Sequence, residues 1–386
     1  MRNNLIFNSF KNKVNVKDTK KLYKHFNKIN NIHWPKFFDS FKKDYNYSFD
    51  KKFLKKYQKY KKINIIGMGG SVLGAKAIYS FCKATIKKNF SFFENLQLKK
   101  CNSNKSLNIV ISKSGNTLET LVNLNANYNK TKNIFITENK LSHLRNLANK
   151  LKSDVIDHKN FIGGRFSVLS EVGMLPAGLM GLNENKFKQF NNLLKNKYFF
   201  NAVISNVTNI VELVNKKKSN AVILNYDETL DNFLKWYQQL LAESIGKKAK
   251  GIFPIISTMP KDNHSLMQLY LDGQKNNFYT FFSSVDKISP KINKETILRS
   301  KNFLINKNLQ DILDSKILAT QKVFKKKRIP FRSFFLKTRK EETLGELFTF
   351  FVVETILIAK ALKINPYDQP AVELIKKETN KILVNS

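Results

Sequence analysis

Residues Ile109–Thr120 read IVISKSGNTLET, and the fold follows from this stretch. The apolar run Leu107 to Ile111 has the length and β-branching of a buried strand. It breaks at Ser112-Lys113-Ser114-Gly115-Asn116-Thr117, after which Leu118, Leu121 and Leu124 recur at helical spacing. A strand therefore ends in a turn of hydroxyls and glycine, and a helix begins. Hydroxyls, an ammonium and the free N–H groups of a helix N-terminus gather in one place, a setting suited to a phosphate. The plainer alternative is an ordinary strand-to-helix turn with Thr117 as its N-cap.

The same alternation extends outward. Strands are predicted at Ile63–Ile66, Phe90–Phe93, Asn133–Thr137 and Asp154–Ile156, with helices at Ser71–Lys83, Lys140–Lys150 and Val168–Leu182. A second round follows, with strands at Asn220–Asn225, Ile252–Ser257, Phe278–Val285 and Phe331–Leu336. Its helices are Thr229–Ile245, Asn263–Asp272 and Leu309–Phe324. Such βαβ alternation predicts an α/β protein with two similar units, each a mainly parallel sheet flanked by helices. The expected divisions are an N-terminal helical segment (1–60), two α/β domains (61–183 and 184–342), and a C-terminal helical segment (343–386) packing on the active site. In such sheets ligands sit beyond the carboxyl ends of strands, where Ser112–Thr117 falls.

Composition narrows the class. The 386 residues are 42% hydrophobic, as in a globular protein. No run is long and apolar enough for a membrane span. The best candidate, Leu347–Ala359, is short and carries Glu354. The N-terminus has no secretory pattern, so a cytoplasmic location is expected. Cys82 and Cys101 support neither a disulfide framework nor a metal site. The net charge of +39 raises the question of nucleic acid. Yet only 7 of the 68 basic residues are arginines, the lysines run the whole length, and Lys, Asn, Ile and Phe all have A/T-rich codons. That pattern reads as compositional drift, and no nucleic-acid motif accompanies it. Lys325-Lys326-Lys327-Arg328 is the one tight basic cluster.

Five strings carry the chemistry. The first, Ile65-Ile66-Gly67-Met68-Gly69-Gly70-Ser71-Val72-Leu73-Gly74, places a glycine turn between strand and helix. Alone it also suits a dinucleotide, with Glu94 at the distance of a ribose-binding acid. The second is Phe161-Ile162-Gly163-Gly164-Arg165-Phe166-Ser167, whose Arg165 is equally a charge stabiliser or a partner for a phosphate or a structural carboxylate. The third, Trp236-Tyr237-Gln238-Gln239-Leu240-Leu241-Ala242-Glu243-Ser244-Ile245-Gly246-Lys247, puts Gln239 and Glu243 on one helix face. The others are Asp262-Asn263-His264-Ser265-Leu266-Met267 and Asp368-Gln369-Pro370-Ala371-Val372-Glu373-Leu374-Ile375-Lys376. Seven positions, about two helical turns, separate Gln369 from Lys376.

The Ser112–Thr117 loop resembles the phosphate loop of sugar isomerase (SIS) domains. The five strings, in this order, resemble the phosphoglucose isomerase family from about Ile63 to Lys376. Ala371 stands where a glycine is common in that family, and SKSGNT follows the general SIS form rather than the SKTFTT of many larger members. The resemblance implies a two-SIS-domain fold and reversible interconversion of glucose 6-phosphate and fructose 6-phosphate through a cis-enediol, without metal or organic cofactor. Glu243 would be the base, Arg165 the stabiliser of negative charge, and His264 and Lys376 the ring-opening groups. Gly70, Ser71, Ser112, Lys113, Ser114, Thr117, Gln239 and Gln369 would bind substrate. The resemblance also implies a homodimer with His264 donated across the interface. A bifunctional phosphoglucose/phosphomannose isomerase and a non-catalytic sugar-phosphate sensor are the alternatives. The sensor has no use for Glu243, His264 and Lys376 together.

Overall fold

In chain order the strands are β1 (Leu5–Asn8), β2 (Lys62–Gly67), β3 (Asn89–Phe93), β4 (Leu107–Ile111), β5 (Lys132–Thr137), β6 (Asp154–Asp157), β7 (Asn220–Asn225), β8 (Phe253–Thr258), β9 (Asn277–Ser284) and β10 (Phe331–Leu336). They belong to a computed structural model that describes residues 4–10, 20, 21, 24, 34–96, 105–128, 132–285 and 289–385. One five-stranded sheet has the order β3-β2-β4-β5-β6, and its pairs are all parallel. The other runs β1-β10-β9-β7-β8, parallel except where β1 pairs antiparallel with β10. Helices cover the faces and a helical tail follows, as the alternating pattern predicts. Every residue of β4 is buried, which explains why it reads as an unbroken apolar run rather than an alternating one.

Such apolar strands could slip in register, and buried amides oppose this. Asn64 donates to Asn108 (2.8 Å), which donates to Asn133 (3.1 Å), linking β2, β4 and β5 at one level. Asn220 and Asn277 repeat the device between β7 and β9 at 3.0 Å. A slip of one residue would bury these amides without partners, at a cost of a few kcal/mol.

The structure departs from the sequence expectations at both ends. The segment 1–60 is not helical throughout: Leu5–Asn8 is an edge strand of the second sheet, and residues 11–19, 22, 23 and 25–33 lie outside the described residues. Leu5 and Phe7 alternate inward with Ile6 and Asn8 outward, a period-two pattern too short to stand out amid the lysines. Near the C-terminus, Glu341–Ala361 is a core helix, buried from Thr343 to Ala359. The last helix, Pro370–Asn385, has no buried residue and does not pack on the site within this chain. The expected helix Val168–Leu182 is also divided. A 3-10 turn (Gly164–Leu169) ends at Ser170, whose hydroxyl caps the helix Glu171–Leu179. No helix among the described residues is long and apolar enough to cross a membrane.

Candidate active site

β2 and β4 pair so that Gly67 lies beside Ile111, which brings the turns after them together at the carboxyl end of the first sheet. Close backbone approach explains the glycines there. A methyl group added to Gly70 would lie 2.3 Å from the Gly164 carbonyl, and one on Gly69 would meet Gln239 Nε2 at 2.9 Å. Gly69 also has φ +53°, which disfavours a side chain. The glycine turn is thus wedged between the Gly-Gly-Arg segment and the helix Asp231–Ile245. Glu94, the acid that kept a dinucleotide reading open, is ion-paired with Lys76.

In the Ser112–Thr117 loop the hydroxyls face one another. Ser112 Oγ lies 2.8 Å from Thr117 Oγ1 and 3.5 Å from Ser114 Oγ, and it accepts from the Gly115 N–H. Thr117 precedes the helix Leu118–Ala126, yet its side chain makes no capping bond. The hydroxyl is turned to Ser112 instead, leaving the first-turn N–H groups uncapped by it. Lys113 points its ammonium at the Asn160 carbonyl (2.8 Å) and lies 3.5 Å from Glu138. Burial alone would raise the Glu138 carboxyl, but Lys140 and Lys113 outweigh it and hold it below its ordinary value.

Arg165 and Glu243 meet at 2.9 Å, with the guanidinium buried and the carboxylate about a quarter exposed (3% and 24%). Gln239 donates to the other carboxylate oxygen at 3.0 Å, one turn earlier on the same helix. Arg165 is oriented by the Pro366 and Asp368 carbonyls, at 3.0 and 3.2 Å from Nη2. Burial pushes its guanidinium below the ordinary value, and the Glu243 charge opposes that shift. Arg165 Nε and Nη1 find no aligned acceptor among the described residues, although Nη1 is close to Glu243. A fixed cation beside a carboxylate can stabilise an oxyanion while the carboxylate moves a proton.

Gly70, Ser71, Arg165, Gln239 and Glu243 are therefore brought together, and Ser112, Lys113, Ser114 and Thr117 form the adjoining loop. Gln369 directly follows the Asp368 carbonyl that Arg165 contacts, but it is exposed. His264 is exposed after the 3-10 turn Lys261–Asn263. Lys376 is exposed and paired with Glu373 on its own helix at 2.7 Å, not placed against Glu243. Residues outside the predicted set hold the site in place. Lys247 bonds the Asn365 carbonyl at 2.5 Å and the Asp368 carboxylate at 2.7 Å, pinning 365–368 to the end of the Glu243 helix. Its only signal was a lysine just after Gly246. Beneath that helix, Glu354 is fully buried and accepts from Arg332 (2.6 Å), Asn206 (2.6 Å) and Tyr237 (3.3 Å).

A profile of the family "Phosphoglucose isomerase" matches residues 55–386. A glucose-6-phosphate isomerase of Methanocaldococcus jannaschii is 34% identical over 345 residues, covering 82% of this chain and 83% of its own length. One from Mycoplasmopsis pulmonis is 34% identical over 350 residues, covering 83% and 82%. Among solved structures, a hypothetical protein from Thermus thermophilus superposes with a TM-score of 0.80 at 22% identity, covering 98% of this chain and 99% of that one. A glucose-6-phosphate isomerase from Chlamydia trachomatis gives a TM-score of 0.70 at 20% identity, covering 86% and 71%. At such identities these structures speak to the fold.

Proposed function

Since this chain belongs to the phosphoglucose isomerase family, we propose that it interconverts glucose 6-phosphate and fructose 6-phosphate through Glu243 and Arg165. The observation that carries the reading is the Arg165–Glu243 contact at 2.9 Å, braced by Gln239 above the glycine turn. In this proposal Ser112, Ser114 and Thr117 take the 6-phosphate, with Lys113, Gly70, Ser71 and Gln369 around it. Binding energy spent on the phosphate holds C1 and C2 in register with the carboxylate. Glu243 removes the proton from C2 and returns it at C1, and the Arg165 guanidinium beside it stabilises the negative charge on the enediolate oxygens. The test is a coupled assay of purified protein for fructose 6-phosphate formation, with mannose 6-phosphate in parallel. Turnover of glucose 6-phosphate alone is expected; no turnover of it would refute the proposal.

Lys113→Ala is expected to raise KM for glucose 6-phosphate about tenfold with little change in kcat, since one cation near the phosphate is removed. An unchanged KM would take Lys113 out of substrate binding.

We also propose that the working form is a homodimer and that His264 reaches the sugar from the second copy. His264 is exposed, and the helix bearing Lys376 leaves Leu374, Ile375, Ile382 and Val384 between 66% and 84% exposed. An apolar surface of that kind calls for a partner. Mixing Glu243→Gln chains with His264→Gln chains after unfolding should restore about a quarter of wild-type activity, because half the dimers then hold one complete site. No recovery, with mixed dimers demonstrated, would keep His264 within its own subunit. The cytoplasm is the proposed compartment, since Cys82 is a free, buried cysteine. Cys101 lies outside the described residues. Fractionation checks the compartment.

A further inference from the structure

The basic cluster at Lys325–Arg328 plays no part in the isomerase site, and the fold gives it a different setting. Lys327 and Arg328 follow the helix Leu309–Lys326 and line a cleft of about 310 Å³ at the amino ends of β7, β9 and β10. Lys218 comes from the turn before β7, and Lys275 from the turn before β9. Tyr270, Tyr279, Ile329 and Pro330 add apolar surface, and Gln274 and Asn277 add amides. Side chains alternate across β9. Phe278 packs on the core shared with Tyr237 and Leu240, whereas Tyr279 packs with Tyr270 and Phe324. The cleft therefore lies on the face of the second sheet turned away from the helix of Glu243.

The charges in this cleft are one-sided. Its lining holds Lys218, Lys275, Lys327 and Arg328 and no carboxylate. Lys275 caps the Leu271 carbonyl at 3.1 Å, and Lys218 bonds the Lys275 carbonyl, so these two are positioned by the backbone. Burial, then the nearby Lys275 charge, push the Lys218 ammonium below its ordinary value. Lys327 and Arg328 make no side-chain hydrogen bond or ion pair among the described residues. In a chain where lysine is everywhere, arginine is the informative cation. Arg145, Arg165, Arg332 and Arg339 each face a carboxylate, and Arg328 instead faces the cleft.

We propose that this cleft is a second binding site, for a small organic di- or triphosphate with the chemistry of a nucleoside polyphosphate. Two unpaired cations and two backbone-held ones suit a chain of phosphates, and a fork such as Arg328 can take a phosphate bidentately. Tyr270, Ile329 and Pro330 supply an apolar wall, and the exposed Gln274 amide supplies a group for a base edge. The size is at the lower end for ligand pockets.

Calorimetry on the full chain at about 0.15 M salt, with ADP as probe and saturating fructose 6-phosphate present, tests the proposal. ADP should still bind, because the sugar phosphate occupies the other site. Inorganic pyrophosphate should bind more weakly, lacking a part for the apolar wall. The double variant Lys327→Ala/Arg328→Ala should weaken ADP at least about tenfold and leave isomerase turnover unchanged. Lys52→Ala/Lys55→Ala, an equal loss of charge on a different exposed helix, should leave ADP binding as it was. Complete displacement of ADP by fructose 6-phosphate would overturn the proposal. So would equal weakening by both double variants, which means a diffuse field, or preference for an oligonucleotide over ADP, which means a macromolecular polyanion.

Discussion

Glu243→Gln is expected to lower kcat at least about a hundredfold while KM stays within a few-fold of wild type. The amide keeps the shape of the side chain and still accepts from Gln239, which now donates to a carboxylate oxygen at 3.0 Å. It cannot accept the C2 proton. Arg165 remains anchored by the Pro366 and Asp368 carbonyls, so its guanidinium and the Ser112–Thr117 loop are left standing. Steady-state kinetics, with proton exchange at C2 followed in heavy water, measures both effects. Near-normal turnover with near-normal exchange would remove Glu243 as the base. A parallel rise in KM would point instead to collapse of the site around the unpaired Arg165.

Arg332→Met is expected to destabilise the fold by about 3–5 kcal/mol, because it strands the Glu354 carboxylate in the core. Arg332 and Glu354 are 1% and 0% exposed and 2.6 Å apart. Adding Glu354→Leu should recover part of the loss, since it removes the stranded carboxylate but leaves the buried Asn206 and Tyr237 donors without their acceptor. Denaturant unfolding of the two variants gives the comparison. A single variant within about 1 kcal/mol of wild type would mean that water or another cation reaches Glu354. The pair also matters to the site. Tyr237, on the helix that carries Glu243, bonds Glu354 at 3.3 Å, so the ion pair fixes that helix from below.

Glu354 shows where reading the sequence stopped short. It stood out as the charge interrupting Leu347–Ala359, yet nothing local identified Arg332, Asn206 and Tyr237 as its partners. The glycine turn is the opposite case. Gly-x-Gly-Gly-Ser after a strand already implied close backbone approach, and the structure supplied what approaches: the Gly164 carbonyl and Gln239. The Gln239–Glu243 contact was legible too, because four residues along a helix is a local distance.

By itself the sequence determined nine strands of two parallel sheets, the turn that follows each strand at the site, and the helix face shared by Gln239 and Glu243. These follow from hydrophobic period, glycine and hydroxyl chemistry, all of which act over a few residues. Only the tertiary structure decided the rest. It paired Leu5–Asn8 with a strand more than 300 residues away, set the Pro366 and Asp368 carbonyls on Arg165, and left Lys376 in solvent beside Glu373. It also gathered Lys218, Lys275, Lys327 and Arg328 into one cleft. The physical reason is the same in each case. A hydrogen bond or a charge contact has a range of a few ångströms, and which residues come within it depends on how the sheets and helices close over their cores.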